Sequence, residues 1–327
     1  MALYTPVVQV RYAPQGFFES PKFSACTAAG IFDMRTIEDM YAAGVKAGDF
    51  VNVPRTIQVP DFSRVQVGSS TPVSFTAVAT NDGKVPILRD ISPFYWTRHQ
   101  LAQTGEDLGR LAGLSVGNKL AKRMLNQMSR GLQAVLNVGA KPHLEDITGA
   151  GTKTLNASSI VDAKYRMGDA ADTLDTMILS SKAWRSLSKD VLSTYKYAGV
   201  WSGQFFESGD LQGIIGIRKF VVTDALLPEG TGTTTTADDY YYSFLLAPGY
   251  VYFAYQREPL VDGWNNVTTQ DSQLLERVDM DYVIAPKAFA FNVANPTDAN
   301  FIDPSNWTAA YEDHRNMQVC AVKSNEV

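Results

Sequence analysis

Between Glu106 and Val138 apolar side chains return every three or four positions: Leu108, Leu111, Ala112, Val116, Leu120, Met124, Met128, Leu132, Val135 and Leu136. No proline interrupts the run. This is the helical period, and it predicts one amphipathic helix of about 30 residues, roughly 45 Å long at 1.5 Å rise per residue. The opposite face carries Arg110, Asn118, Lys119, Lys122, Arg123, Gln127 and Arg130, a solvated and basic surface. Thr104, followed by Glu106 and Asp107, supplies a cap and two carboxylates where the helix dipole favours negative charge. Gly139 and then Pro142 predict the stop.

A different period governs Asp49 to Asp90. Val51, Val53, Ile57 and Val59, then Val65 and Val67, then Val73, Phe75 and Ala77, and finally Val85 and Ile87 alternate with polar residues. Period two with valine and threonine enrichment predicts strands, and Asn81-Asp82-Gly83 reads as a tight turn between two of them. An antiparallel excursion of about 40 residues with few long aliphatics is marginal alone in water and needs a partner surface.

Elsewhere the pattern is more broken. Residues 1–35 carry Pro6, Pro14 and Pro21 among scattered aromatics and read as an extended arm laid on something larger. A short helix is expected over Thr36–Val45. Pro93, Phe94, Tyr95 and Trp96 form an aromatic packing anchor before the long helix. Ser158–Asp172 predicts a helix, Leu174–Leu179 a buried strand and Lys182–Asp190 another helix, an α/β or α+β succession. Strands follow at Gly213–Asp224, at Tyr241–Gln256 in two pieces around Pro248-Gly249, and at Asp271–Ala285. A polar loop spans Leu227–Asp239. The tail holds a Pro/Asn-rich link from Asn295 to Pro304, an anchor at Trp307 and Tyr311, and a last strand over Met317–Val322.

Composition adds bounds. The 327 residues are 45% apolar, enough for a sizeable core. With 29 Lys+Arg against 34 Asp+Glu the formal charge is −5, so any nucleic-acid contact requires a local basic face. The two cysteines, Cys26 and Cys320, are no disulfide framework, and a reduced cytoplasmic origin is the simplest reading. The first residues show no secretory pattern, and no apolar run is long enough to span a membrane. His99, His143 and His314 are dispersed, so neither a metal site nor another cofactor site is expected. Gly149-Ala-Gly-Thr-Lys-Thr154 lacks the spacing of a phosphate loop, and no nucleophile elbow or dinucleotide fingerprint occurs. No catalytic residues are expected, and nothing in the chain asks for an enzyme.

The order of these elements resembles the HK97-type major capsid proteins of tailed double-stranded DNA phages, over almost the whole chain. Two segments carry the most specific likeness. One is Thr176-Met-Ile-Leu-Ser-Ser-Lys-Ala-Trp184 with Leu211-Gln-Gly-Ile-Ile-Gly-Ile217, the other Asn295-Pro-Thr-Asp-Ala with Asn306-Trp-Thr. The resemblance implies an α+β fold with an N-terminal arm (1–48), a β-hairpin E-loop (49–92) and a P-domain with a spine helix (93–144, returning at 270–292). It further implies an α/β A-domain (145–269) and a C-terminal segment (293–327) that packs on it.

It also implies function. Such a chain assembles with itself, as hexamers and pentamers, into an icosahedral head around double-stranded DNA. It is made in the bacterial cytoplasm, ends in the virion, and has scaffolding, portal and decoration proteins as candidate partners and no membrane. Arm and E-loop residues Phe17, Phe18, Phe23, Val65, Val67, Phe75, Lys84 and Arg89 are then candidates for subunit contacts. Lys119, Lys122 and Arg123 are candidates to face DNA through salt-sensitive phosphate contacts. Since the first residues already look like the arm, a scaffold would be a separate protein or a segment already removed. Lys84, the sole lysine between Lys46 and Lys119, is a conceivable but weak cross-linking residue. An encapsulin-type compartment shell is the alternative, and a soluble α+β binding domain or enzyme a more distant one.

Overall fold

The computed structural model describes residues 12–34, 46–47, 50–58, 79–140, 142–149, 154–197, 216–226, 240–255, 260–266, 273–293, 296–309 and 314–326. Its dominant element is helix α3, Arg98–Leu136, 39 residues and thus about 58 Å long. It starts earlier than the apolar run implies, so Thr104 lies inside the helix rather than capping it. Gly139, at φ +62°, turns the chain away just past its end, as expected of a left-handed stop.

Two five-stranded sheets close on this helix. The first is built on the long strand β12 (Gln273–Pro286). One edge of β12 pairs with β10 (Val251–Tyr255) and β11 (Leu260–Asn266); the other pairs with β5 (Leu88–Thr97). β1 (Phe32–Met34) adds in parallel to β10. The second sheet runs β6 (Leu144–Asp146), β15 (Val319–Asn325), β9 (Tyr240–Leu246), β7 (Thr176–Leu179), β8 (Lys219–Val222).

Strand alternation divides each sheet cleanly between two cores. Ile178, Phe244, Leu246, Val319 and Ala321 face the α3 residues Met124, Leu125, Met128, Leu132 and Val135 in one core. Met177, Leu179, Leu245, Cys320 and Val322 face the other way. There they meet helices α4 (Ala157–Tyr165) and α5 (Ser181–Tyr197) through Ile160, Ala163, Ala183 and Leu187. In the first sheet Val251, Phe253, Met280, Tyr282 and Ile284 join the α3 core. Their neighbours Tyr252, Ala254, Val283 and Ala285 cover Val85 on the outer face. Val85 belongs to β4 (Ala79–Pro86), which with β2 (Lys46–Ala47) and β3 (Phe50–Gln58) forms a separate three-stranded sheet.

Several expectations change. The arm is not extended over residues 13–28: it folds into α1 (Ala13–Phe18) and α2 (Pro21–Ala28). Pro14 and Pro21 sit in the first turns, where a missing N–H costs nothing, so both prolines start helices. Asn81-Asp82-Gly83 is no turn; it lies within β4, opposite Thr56, Pro54 and Val53. Pro93 to Trp96 belong to β5, with Pro93 opposite Arg277. The helix expected over 158–172 ends at Tyr165, and a 3-10 turn, Gly168–Thr173, follows it. The link at 295–304 contains a short helix, α6 (Asp298–Ile302), capped by Thr297. β10 and β11, from the stretch expected to belong to the A-domain, pair with β12 rather than with the second sheet. The helix expected at Thr36–Val45 and the polar loop at 227–239 lie outside the described residues. The two-piece strand around Pro248-Gly249, the return strand and the last strand are as the pattern implied.

α1 crosses α3 at two glycines. A Cβ on Gly117 would overlap the Ala13 carbonyl oxygen and the Phe17 nitrogen, and one on Gly16 would overlap the Leu114 backbone. In an open helix Gly→Ala stabilises by about 1 kcal/mol. Here the obstructing atoms are backbone and cannot swing aside, so Gly117→Ala is expected to destabilise by roughly 1–3 kcal/mol. Urea unfolding of the unassembled chain measures this, and a midpoint at or above wild type would refute the crossing.

Candidate functional site

The arm phenylalanines expected at subunit contacts point inward instead. Phe17 and Phe23 are buried and Phe18 is half-buried, all packed in the α3 core. Phe17 and Phe23 have ring centroids 4.9 Å apart, Phe23 meets Phe253 at 5.5 Å, and Phe18 meets Tyr255 at 5.7 Å. The two short helices turn these rings onto β10, so Phe17 and Phe23 are interior residues of their own subunit. Val65, Val67 and Phe75 lie outside the described residues. Lys84 is exposed on β4, opposite Asn52. Arg89 keeps 53% of its side chain exposed but pairs across the strands with Asp279 at 2.9 Å and Asp281 at 3.3 Å.

The basic helix face is also divided. Lys119 and Lys122 are exposed, whereas Arg123 is committed to two carboxylates, Asp298 at 2.8 Å and Asp90 at 3.6 Å. A phosphate reaching Arg123 would compete with both carboxylates.

Arg123 is the centre of a polar junction between α3, β5, β12 and α6. The Asp298 carboxylate accepts from Gln127 at 2.6 Å and pairs with Arg130 at 3.0 Å. The buried Tyr282 hydroxyl donates to Asp90 at 2.7 Å. Burial alone would push the Asp298 carboxyl up. The hydrogen bonds from Gln127 and Arg123 and the charges of Arg123 and Arg130 outweigh it and hold that carboxyl below its usual range. Burial, and then the Asp90 charge, push the Tyr282 phenol well above its ordinary value.

An open recess of about 290 Å³ lies over this junction, lined by Ile87, Arg89, Gln127, Thr297 and Phe301 among others. A second recess of about 290 Å³ lies on the other side of the Asp90–Arg123 pair, against Ile91, Val116 and Lys119. Among the described residues no group of His, Cys, Asp and Glu is arranged to hold a metal ion, and no helix is long and apolar enough to cross a membrane. The thiols are inert: burial pushes Cys26 up to about 12 and raises Cys320 as well. What the junction does chemically is fasten elements together. Its acidic members, Asp90 and Asp298, are about 200 residues apart in sequence, and no local pattern marks either.

Geometry of this kind, one long helix between two sheets with a paired β excursion at one side, recurs in phage shells. The chain is similar in fold to the capsid protein of Cyanophage Pam1 (TM-score 0.58, 14% identity, covering 91% of this chain and 89% of that one). It is likewise similar to the capsid protein of Ralstonia phage GP4 (TM-score 0.55, 11% identity, 92% and 89%). A third similar structure is the head of Helicobacter pylori bacteriophage KHP40 (TM-score 0.53, 13% identity, 94% and 92%). The fold is therefore that of phage capsid proteins, the HK97-like α+β arrangement.

Residues 56–318 match the Gp13-like family of major capsid proteins, and the chain belongs to that family. The major capsid protein of Bacillus phage SPP1 is 25% identical over 318 residues, 94% of this chain and 93% of that protein. The chain is a structural protein, not an enzyme, and the family favours a phage head over a cargo compartment.

Because Asp298 is held below its unfolded pKa, the stability it adds is present above about pH 4 and is lost as pH falls through the folded value. Asp298→Asn is expected to be less stable than wild type at neutral pH and to lose less on acidification to about pH 3. Urea midpoints at both pH values test this; equal acid losses in the two proteins would count against the junction.

Proposed function

We propose that this chain assembles with itself, through hexamers and pentamers, into the icosahedral head shell that encloses double-stranded phage DNA. Membership of a major capsid family over residues 56–318 is the observation that carries this reading. The physics agrees: the β2–β3–β4 sheet lies outside the two main sheets, and β4 alone is described against the body, through Val85 on β12 and its neighbours and beside the strand Phe289–Phe291. A small sheet of this kind gains stability by covering a neighbour, and a closed shell makes many such modest contacts act together. Contact with DNA is weak and non-specific in this reading, consistent with a chain of net charge −5. The shell is made in the host cytoplasm and completed with portal and scaffolding proteins.

Size exclusion and electron microscopy of the expressed chain are expected to show megadalton shells, tubes or capsomer rings. A monomer of 35.9 kDa under all conditions would overturn the reading. Particles boiled in detergent are expected to run as a single band near 35.9 kDa, because Lys84 is an ordinary solvated lysine rather than a cross-link donor. A covalent ladder would reverse that assignment.

A further inference from the structure

The recess beside the Asp90–Arg123 pair has an apolar floor of Ile91, Val116, Leu120 and Val278. Ile91 is 50% exposed, an uncovered isoleucine on an edge of the sheet. Lys119 stands on the rim, exposed, with exposed Lys122 one residue beyond Ala121 on the same helix. The most exposed large apolar side chain among the described residues is Tyr165, 70% exposed at the end of α4. Asp162 lies one turn earlier on the same face of that helix, and Asp169 and Asp172 follow in the 3-10 turn, all exposed. The adjacent cations are occupied: Lys164 donates to the Gly216 carbonyl at 3.3 Å and Arg166 pairs with Glu145. Lys164 also pairs with Asp172 at 4.0 Å, which leaves Asp162 and Asp169 as the carboxylates beside Tyr165, and Arg315 lies against Gly168.

We propose that Tyr165 of one copy seats in the Ile91–Val116–Leu120–Val278 recess of a second copy, with Asp162 and its neighbours facing Lys119. This rests on the shell reading above, which supplies a second copy as the occupant. The charges of knob and recess are complementary, and the exposure of Tyr165 shows that it does not fill the recess of its own chain. DNA phosphate would account for Lys119 but gains nothing from an exposed Ile91. In a ring each copy gives its knob to one neighbour and receives a knob from another, a heterologous contact. A tyrosine ring on an apolar floor supplies the affinity, while the charged rim sets orientation.

The test uses the full chain carrying Ile91→Cys and Tyr165→Cys together, assembled, treated with a short bis-maleimide and run on a denaturing gel. The double variant is expected to give a ladder of linked chains and each single variant a band near 35.9 kDa, the buried native thiols staying silent. Particles that form normally and give no ladder, or a single variant that links by itself, overturn this contact and leave the shell reading intact. A wild-type chain that never assembles overturns the shell reading and this contact with it. If the double variant does not assemble, charge exchange decides. Lys119→Glu or Asp162→Lys alone is expected to raise the concentration needed for assembly roughly tenfold, and the pair to restore it. Failure to restore overturns the contact.

Discussion

Everything in this subunit depends on one helix serving as the common wall of two sheets. Met124, Leu125, Met128, Leu132 and Val135 of α3 are buried against strands from both, so neither sheet has an inner face without the helix. A strut about 58 Å long that is apolar along much of its length cannot be left in water, and the two sheets are what cover it. The arm and the tail dock on the same helix through close approaches. α1 sits against Gly117, and the Phe301 ring fills the space a Cβ would take at Gly131. N-terminal and C-terminal segments are thereby held to one rigid element.

Polar contacts finish what burial begins. Asp298 joins Arg123, Arg130 and Gln127, while Tyr282 and Arg123 hold Asp90 near the base of the β4–β5 connection. The pairs involving Arg123 and Asp298 are about two-fifths exposed, so each adds little on its own. Their use is positional: several hydrogen bonds converging on one carboxylate fix the angle at which α6 and β5 meet the helix. A shell protein needs that angle, because a small tilt repeated around a ring decides whether the ring closes.

Much of the fold was legible in the chain. The 3.6 period marked α3, alternation marked β9, β10 and β12, and Pro248-Gly249 marked the turn between two of them, where Gly249 adopts φ +60°. Local signals misled where one residue type has two uses. Proline breaks strands and also starts helices, so Pro14 and Pro21 read as extended chain until α1 and α2 placed them in first turns. Asn-Asp-Gly favours a turn, yet the pairing of β3 with β4 carries residues 81–83 through as strand. Aromatics on an arm suit an interface or a core equally well, and only the fold of the arm onto β10 put Phe17 and Phe23 in the core.

The sequence by itself determined the class of subunit: one long helix, an excursion with little core of its own, no catalytic motif, and two cysteines too far apart in the chain to imply a framework. These follow from periodicity and composition, which are local and additive along the chain. The tertiary structure alone decided which charges are spent and which are available. Arg123 read as a surface cation beside Lys119, and Arg89 as a subunit-contact residue, but carboxylates from a helix and a strand some 175 to 190 residues away pair with them. Such pairings depend on which elements meet, and no period or spacing in a single chain encodes that meeting.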